Sequence, residues 1–285
     1  MDKITSLVEA RKAFATQEQC EKHLREMRWS NGVTCPRCGS KAVTYMASRH
    51  QWQCECRYQF SVTSGTVFHK THMDLPRWLM AIWLVCHSPK GISSKQIERE
   101  LGVTYKTAWY MTRRIRLAIQ RNMLGLTVSG VVELDDSLVK ADGGQVSSNT
   151  VHPARKVLGM VSRTTGAVKM VSAYSLGRED IKTICASNLS AVKTIYTDGS
   201  NHFATLCNTA PLYAVNHSRK QYVIGEAHVN HVENMWSLFK RGLMGVYHHV
   251  SAKYLQEYLD EFAFRQSNRT RRESLLDLVL ASCGV

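Results

Sequence analysis

The chain has 285 residues, with 37 Lys and Arg against 23 Asp and Glu, a net charge of +14 and a pI near 9.5. That length can bury a full core as one large domain or two to three small ones, and the basic excess favours a polyanionic partner, nucleic acid ahead of an anionic membrane surface. No apolar stretch nears the roughly 18 residues of a membrane span, and "MDKITSLVEARKAF" has no signal-peptide apolar block, so a cytoplasmic protein without a membrane partner is expected.

Nine cysteines in a reducing compartment argue against a disulfide framework, and four of them cluster in "CPRCGSKAVTYMASRHQWQCECRYQF". Cys35 and Cys38 form a C-x-x-C knuckle with Pro and Gly placed to turn backbone amides toward thiolate sulfur. Cys54 and Cys56 supply the second half of a tetrahedral Zn²⁺ site. Their C-x-C spacing is tighter than the usual pair, which predicts strain in ligation by both sulfurs. "KAVTYMASRHQWQ" reads as a hairpin arm and "RYQFSVTSGTVF" as a further strand broken at Gly65. Zinc would replace the apolar core that so short a segment cannot build. His50 and His69 stand nearby as possible substitute ligands, although ordinary surface histidines fit as well.

"LPRWLMAIWLVCH" is a buried helix ended by Pro89 and Gly91. A second helix starts at Ser93 or Ser94 with "KQIERELG", and "GVTYKTAWYMTRRIR" has the short turn and longer second helix of a helix-turn-helix. In that second helix Lys106, Thr107, Tyr110, Arg113 and Arg114 share one side, while Ala108, Met111, Ile115 and Ile119 form a buried stripe. The basic side suits DNA phosphates; a helical hairpin with a solvated basic face is the competing reading.

Beyond "NMLGLTVSG" the pattern turns to strands: "VVELDDSLV" with carboxylates at 133, 135 and 136, then "ARKVLGMVSRTTGAVKMVSAYSL" as two strands around a Thr-Thr-Gly turn. "REDIKTICASNL" follows as a helix, and "KTIYTDGS" as a strand ending in Asp198. This order predicts an α/β fold with a mixed sheet. Asp135 sits in an apolar strand, where a carboxylate needs a partner or a metal, unless the strand is an edge with a wet face; Asp136 should point to the opposite side. Asp198 precedes Gly199 at a strand end, where open α/β sheets meet ligands and where Asp-Gly also makes ordinary turns.

"HVNHVENMWSLFKRG" reads as a helix whose apolar stripe is Val232, Met235, Trp236 and Phe239. Glu233, Ser237 and Lys240 repeat on another face, with Arg241 close by. By spacing alone that face could be a solvated one carrying an acid-base pair. His228, Asn230 and His231 could orient the site or contact DNA, or could cap and pack the start of the helix.

The succession "LREMRWSNGVTCPRCGS", "CRYQFSVTSGTVFHKTHMDLPRWLMAIWL", "VVELDDSLV", "IYTDGS" and "HVNHVENMWSLFKRGLMGVYHHVSAKYLQEYLDEFAFRQSNR" resembles the zinc-ribbon DDE transposases of bacterial insertion sequences, the ISXO2-like group, over about residues 20 to 270. The resemblance implies an α/β, ribonuclease-H-like mixed-sheet catalytic core (126–285), preceded by an N-terminal segment with a small zinc ribbon (1–72) and a helix-turn-helix DNA-binding region (73–125). It implies a Mg²⁺ (or Mn²⁺) triad of Asp135, Asp198 and Glu233, with Lys240 as the basic residue seven positions beyond the glutamate. It implies double-stranded DNA as partner, both element ends and target, and a homo-oligomer in the DNA complex, associated with the nucleoid. Two departures stand out: Asp135-Asp136 replaces the usual Asp-Glu, and "CEC" is one residue shorter than the usual second cysteine pair. Asn234 is a weaker candidate for the third ligand than Glu233, whose register with Lys240 is right. Arg265, Arg269, Arg271 and Arg272 would add phosphate contacts. A DNA-binding regulator with a decayed core should have lost one of the three acids, and all three are present; a nuclease without strand transfer is the other alternative.

Overall fold

The computed structural model of the chain describes residues 4, 6–139, 155–215, 223, 225–270 and 275–284. They form two compact units: residues 1–88, 94–121 and 271–285 make up the first, 89–93 and 122–270 the second.

The first unit opens with helices α1 (Leu7–Ala13) and α2 (Gln17–Arg28). Each starts in a reciprocal capping box, Ser6 with Glu9 and Thr16 with Gln19, which satisfies otherwise orphaned amides. A three-stranded antiparallel ribbon follows: β1 (Val43–Met46), β2 (Gln51–Cys54) and β3 (Gln59–Phe60). The strand expected across "RYQFSVTSGTVF" is limited to Gln59–Phe60. Beyond it, hydroxyls compete for the backbone: Ser61 N–H donates to Ser64 Oγ at 2.9 Å and Thr66 Oγ1 donates to the Thr63 carbonyl at 2.7 Å, so the chain turns instead of extending. Helices α3 (Leu75–His87), α4 (Ser94–Leu101) and α5 (Tyr105–Leu124) come next, and Trp78, Leu79, Ile97 and Met111 are fully buried. The last helix, α9 (Leu275–Ser282), belongs to this unit: Val67 N–H donates to the Cys283 carbonyl at 2.9 Å, and Cys86 Sγ lies 3.9 Å from the Leu275 carbonyl.

The second unit is a five-stranded mixed sheet with helices on both faces. Its strands are β4 (Val128–Val139), β5 (Arg155–Ser162), β6 (Val168–Ala173), β7 (Leu189–Thr197) and β8 (Leu212–Ala214), in the spatial order β6-β5-β4-β7-β8. β4, β5 and β6 pair antiparallel, whereas β7 and β8 run parallel to β4. Helix α6 (Arg178–Asn188) makes the crossover, and a 3₁₀ turn (Asn201–Leu206) follows β7. Val132, Leu134, Leu158, Met160 and Ile195 meet Ile181, Cys185, Phe203 and Leu206 in the core on that face. The opposite face carries α7 (Asn230–Gly242) and α8 (Leu255–Ser267). Gly159 brings α7 close: a Cβ there would lie 2.6 Å from Met235 Cε and 2.8 Å from Trp236 Cζ2. Glu261, wholly buried on α8, pairs with buried Arg265 and accepts from Tyr247 Oη at 2.7 Å. Arg265 is therefore a core residue and not the phosphate contact expected of it; Arg271 and Arg272 lie outside the described residues. No helix among the described residues is long and apolar enough to cross a membrane.

Candidate active site and metal centre

All four ribbon cysteines converge. Their Sγ atoms lie within 4.8 Å of one another, with Cys35–Cys56 at 3.8 Å and Cys38–Cys54 at 3.5 Å. Four sulfurs bound ~2.3 Å from one tetrahedral ion stand ~3.8 Å apart, so the donor set fits Zn²⁺. The short C-x-C spacing is absorbed by the turn that follows it. After Cys38, Gly39 takes a left-handed φ of 73° and donates its N–H to the Cys35 carbonyl, closing a five-residue turn. After Cys56, Arg57 takes φ 64° and donates to the Cys54 carbonyl at 2.8 Å, closing a four-residue turn. The missing residue thus shortens one turn without separating the sulfurs. His50 instead lies 3.4 Å from Glu21, and His69 is exposed.

On α5 the stripe of Ala108, Met111, Ile115 and Ile119 is fully buried. Thr104 caps the helix through its Oγ1, which accepts from Thr107 N–H at 3.3 Å. Lys106 and Tyr110 are exposed, and Thr107, Arg113 and Arg114 are half-buried. Arg114 donates to Tyr110 Oη, and Arg113 lies over the Trp109 ring at 5.6 Å. Lys106, Thr107 and Tyr110 line one cleft together with Lys70, His72 and Trp78.

The sheet sorts the carboxylates by face. Along β4, Val132 and Leu134 enter the core under α6, so Asp136, next on that side, meets His202 Nε2 at 3.0 Å beyond the end of β7. Glu133 and Asp135 lie on the α7 side. β7 pairs parallel with β4 through Glu133↔Tyr196 and Leu134↔Thr197, which sets Asp198, the next residue, beside Asp135. Both Asp198 carboxylate oxygens accept from Ser200, from N–H at 3.1 Å and Oγ at 2.8 Å, and Gly199 turns the chain away at φ 82°. Glu233 lies in the first turn of α7, exposed, with Lys240 exposed two turns on and Arg241 beside it. Burial first, then the charges of Asp198, Asp136 and Glu233, push the Asp135 carboxyl up to about 7. The elements thus crowd negative charge around Asp135, and a carboxyl shifted this far by burial and like charges marks a candidate functional site. Among the described residues the three acids are not gathered as closely as Glu133, His228 and His231, whose ligating atoms all lie within 4.8 Å.

Sequence reasoning passed over Glu133. It is wholly buried, yet its carboxylate accepts from Arg163 Nε at 2.6 Å, from the His231 and Val232 amides at 2.8 and 3.0 Å, and meets His231 Nδ1 at 2.7 Å. Arg163 also donates to the Glu226 and His228 carbonyls, at 2.8 and 2.6 Å, and its guanidinium lies 4.3 Å from the Tyr196 ring centroid. Burial, then the Arg163 charge, holds the His228 imidazole below its ordinary pKa. The available signal was the period-two alternation that puts Glu133 on the same face as Asp135, where a buried charge requires a partner.

Comparison with known proteins places these parts together. Residues 127–267, from the start of β4 to the end of α8, match the ISXO2-like transposase domain, and residues 15–59, from α2 through the ribbon, match the transposase zinc-ribbon domain. A Halobacterium salinarum protein named as an uncharacterized protein in transposable element ISH50 is 27% identical over 298 residues, covering 94% of this chain and 99% of its own. With the zinc-ribbon match over the four clustered cysteines and, after it in the chain, the transposase-domain match over the mixed sheet, the chain belongs to the ISXO2-like family of zinc-ribbon transposases.

Proposed function

We propose that the chain is an insertion-sequence transposase that binds the ends of its element, cleaves the DNA strand there and joins the freed end to target DNA, with Asp135, Asp198 and Glu233 as the cation-binding acids. The observation that carries this reading is the crowding of carboxylates at Asp135, whose carboxyl is pushed up to about 7 by burial and by Asp198, Asp136 and Glu233, on a mixed sheet in the order β6-β5-β4-β7-β8. Divalent Mg²⁺ (or Mn²⁺) held by these acids would lower the pKa of an attacking water and stabilise the departing 3′ oxygen. The water oxygen bonds to phosphorus as the P–O3′ bond breaks, leaving a 3′-OH and a 5′-phosphate. In strand transfer that 3′-OH attacks a target phosphodiester, and the target's own 3′ oxygen leaves. Lys240, two turns along α7 from Glu233, would hold a phosphate oxygen and offset charge at the pentacovalent centre.

Element-end recognition falls to the α4–turn–α5 pair, acting as a helix-turn-helix with Lys106, Thr107, Tyr110, Arg113 and Arg114 toward DNA; Arg241 adds a phosphate contact on the catalytic side. The net charge of +14 supports that assignment, and so does the relative whose name places it in a transposable element. Bringing two ends together calls for more than one copy of the chain, and the work is cytoplasmic, on the nucleoid. We assign these tasks to 1–72 (zinc ribbon), 73–125 (helix-turn-helix) and 126–285 (catalytic core), with α9 as a return of the chain to the N-terminal unit. The test is cleavage of a labelled duplex carrying the element end, by wild type and Glu233→Gln, with and without Mg²⁺. Wild type should nick only with the cation, and Glu233→Gln should bind the duplex without nicking it. Equal nicking by both proteins, or binding without nicking by either, would refute the proposal.

A further inference from the structure

Three residues gather around the Arg163 guanidinium: Glu133, Tyr196 and His231, the last through the Glu133 carboxylate. Each stands two positions before one of the proposed cation ligands, Glu133 before Asp135, Tyr196 before Asp198, and His231 before Glu233. On β4 that spacing puts Glu133 and Asp135 on one face, at β7 it sets Asp198 just past the strand end that carries Tyr196, and at α7 it puts the helix start directly ahead of Glu233. The three ligands are carried by elements far apart in sequence, and Arg163 with Glu133 touches all three. Glu133 receives the first amides of α7, Arg163 holds the two carbonyls that lead into it, and the Tyr196 ring backs the guanidinium from β7.

A cation bound by Glu133, His228 and His231 is the other reading of this cluster. It fails on the guanidinium, whose Nε is 2.6 Å from Glu133 Oε1 and already neutralises that oxygen. The cluster is a clamp and not a metal site.

We propose that the Arg163–Glu133 pair is a positioning device that fixes the spacing of Asp135, Asp198 and Glu233, so that removing it weakens divalent-cation binding without touching a ligand. The inference rests on the reading of those three acids given above. It is tested on the full, zinc-loaded chain by titrating Mn²⁺ and following the free-ion electron paramagnetic resonance signal, beside thermal midpoint and zinc per chain. Glu133→Gln keeps the shape but cannot accept all four donors. Arg163→Lys keeps a charge near Glu133 but loses the fork that reaches the two carbonyls, so it is the milder variant and the safeguard if the first does not fold. Each folded variant should retain its zinc and bind Mn²⁺ roughly 10-fold or more weakly than wild type, the usual cost of losing a group that orients a ligand. If wild type binds Mn²⁺ and the folded variants bind it equally, the clamp alone is overturned. If wild type binds none, the ligand assignment falls and takes the clamp with it. A stoichiometric cation on wild type that is lost when His228 and His231 are replaced by alanine would show a metal site there and overturn the clamp.

Discussion

Replacing Gly159 with alanine tests how α7 is seated on the sheet. Gly159 faces Asp135 across the β4–β5 pair, and its missing side chain is the space that Met235 and Trp236 occupy. The added methyl would lie 2.6 Å from Met235 Cε, 2.8 Å from Trp236 Cζ2 and 3.3 Å from Trp236 Cε2. The methionine end can rotate away; the indole, 5% exposed, has little room to do so. Overpacking of this kind costs about 1–3 kcal/mol, less the ~0.4–1 kcal/mol that alanine contributes by restricting the unfolded chain, leaving a net loss near ~1–2 kcal/mol. At ~2–4 °C per kcal/mol for a unit of this size, thermal melts should show a fall of roughly 2–8 °C. Trp236→Phe removes the clashing part of the ring, so the double mutant should recover at least ~0.5 kcal/mol relative to the sum of the single changes. Strand cleavage should drop further than stability does, because lifting α7 moves Glu233 away from Asp135, and misplacement near 1 Å costs ~100-fold. A Gly159→Ala protein within ~0.5 kcal/mol of wild type, and additive with Trp236→Phe, would refute the reasoning.

Arg57→Gly should strengthen zinc retention against a competing chelator, since the left-handed φ of 64° costs a non-glycine residue ~1 kcal/mol and glycine almost nothing; unchanged or weaker retention would contradict the four-residue turn as the seat of strain. Asp135 is held at about 7 when folded and returns to its ordinary value near 3.8 when unfolded. Between those values the folded state keeps a proton that the unfolded state has released, so stability of the magnesium-free, zinc-loaded chain should fall as pH rises from about 4 to about 7. The upper bound is ~4 kcal/mol at 1.36 kcal/mol per unit; Asp135→Asn should flatten the slope in pH-dependent denaturant melts, and added Mg²⁺ should offset the loss above pH 7. Glu261→Gln leaves the buried Arg265 cation without its charge partner and should cost ~3–5 kcal/mol in urea denaturation; a loss below ~1 kcal/mol would mean the pair contributes little.

Much of this arrangement is legible in the sequence because its signals are local. The two cysteine pairs state their chemistry by spacing, the apolar runs of β4, β5 and β6 alternate or fill as buried strands do, and Val232, Met235, Trp236 and Phe239 mark the buried side of α7. What escaped depends on contacts at long range or on backbone detail. "VELDD" presents Glu133, Asp135 and Asp136 as equals, and only the pleat together with α7, 98 residues on, sets the first against the start of α7, the second among neighbouring carboxylates and the third against His202. Arg163 sits in a turn sequence, "SRTTG", that suggests nothing of its four partners. The three-residue β8 has too little pattern to be seen, and "SVTSGTVF" has strand-forming residues whose hydroxyls bend it into turns. Arg265 reads as one of a basic series until Glu261, one helical turn earlier, is seen to be buried with it. The strain expected in ligation by C-x-C is carried instead by the backbone, where a left-handed arginine, which no composition rule anticipates, closes the turn.

The central claim is that the α7-facing carboxylates, and not acidic residues in general, make this sheet a DNA-cleaving centre. Neighbouring aspartates on opposite faces give the most direct measurement: Mg²⁺-dependent nicking of an element-end duplex by Asp135→Asn and by Asp136→Asn, each compared with wild type. Both changes remove one negative charge from adjacent positions of β4. Asp135→Asn should lower the nicking rate by roughly three orders of magnitude, the several kcal/mol that charge stabilisation at the phosphate supplies, while Asp136→Asn stays within about threefold, under ~0.7 kcal/mol. Equal loss in both, or full activity in Asp135→Asn, would contradict it.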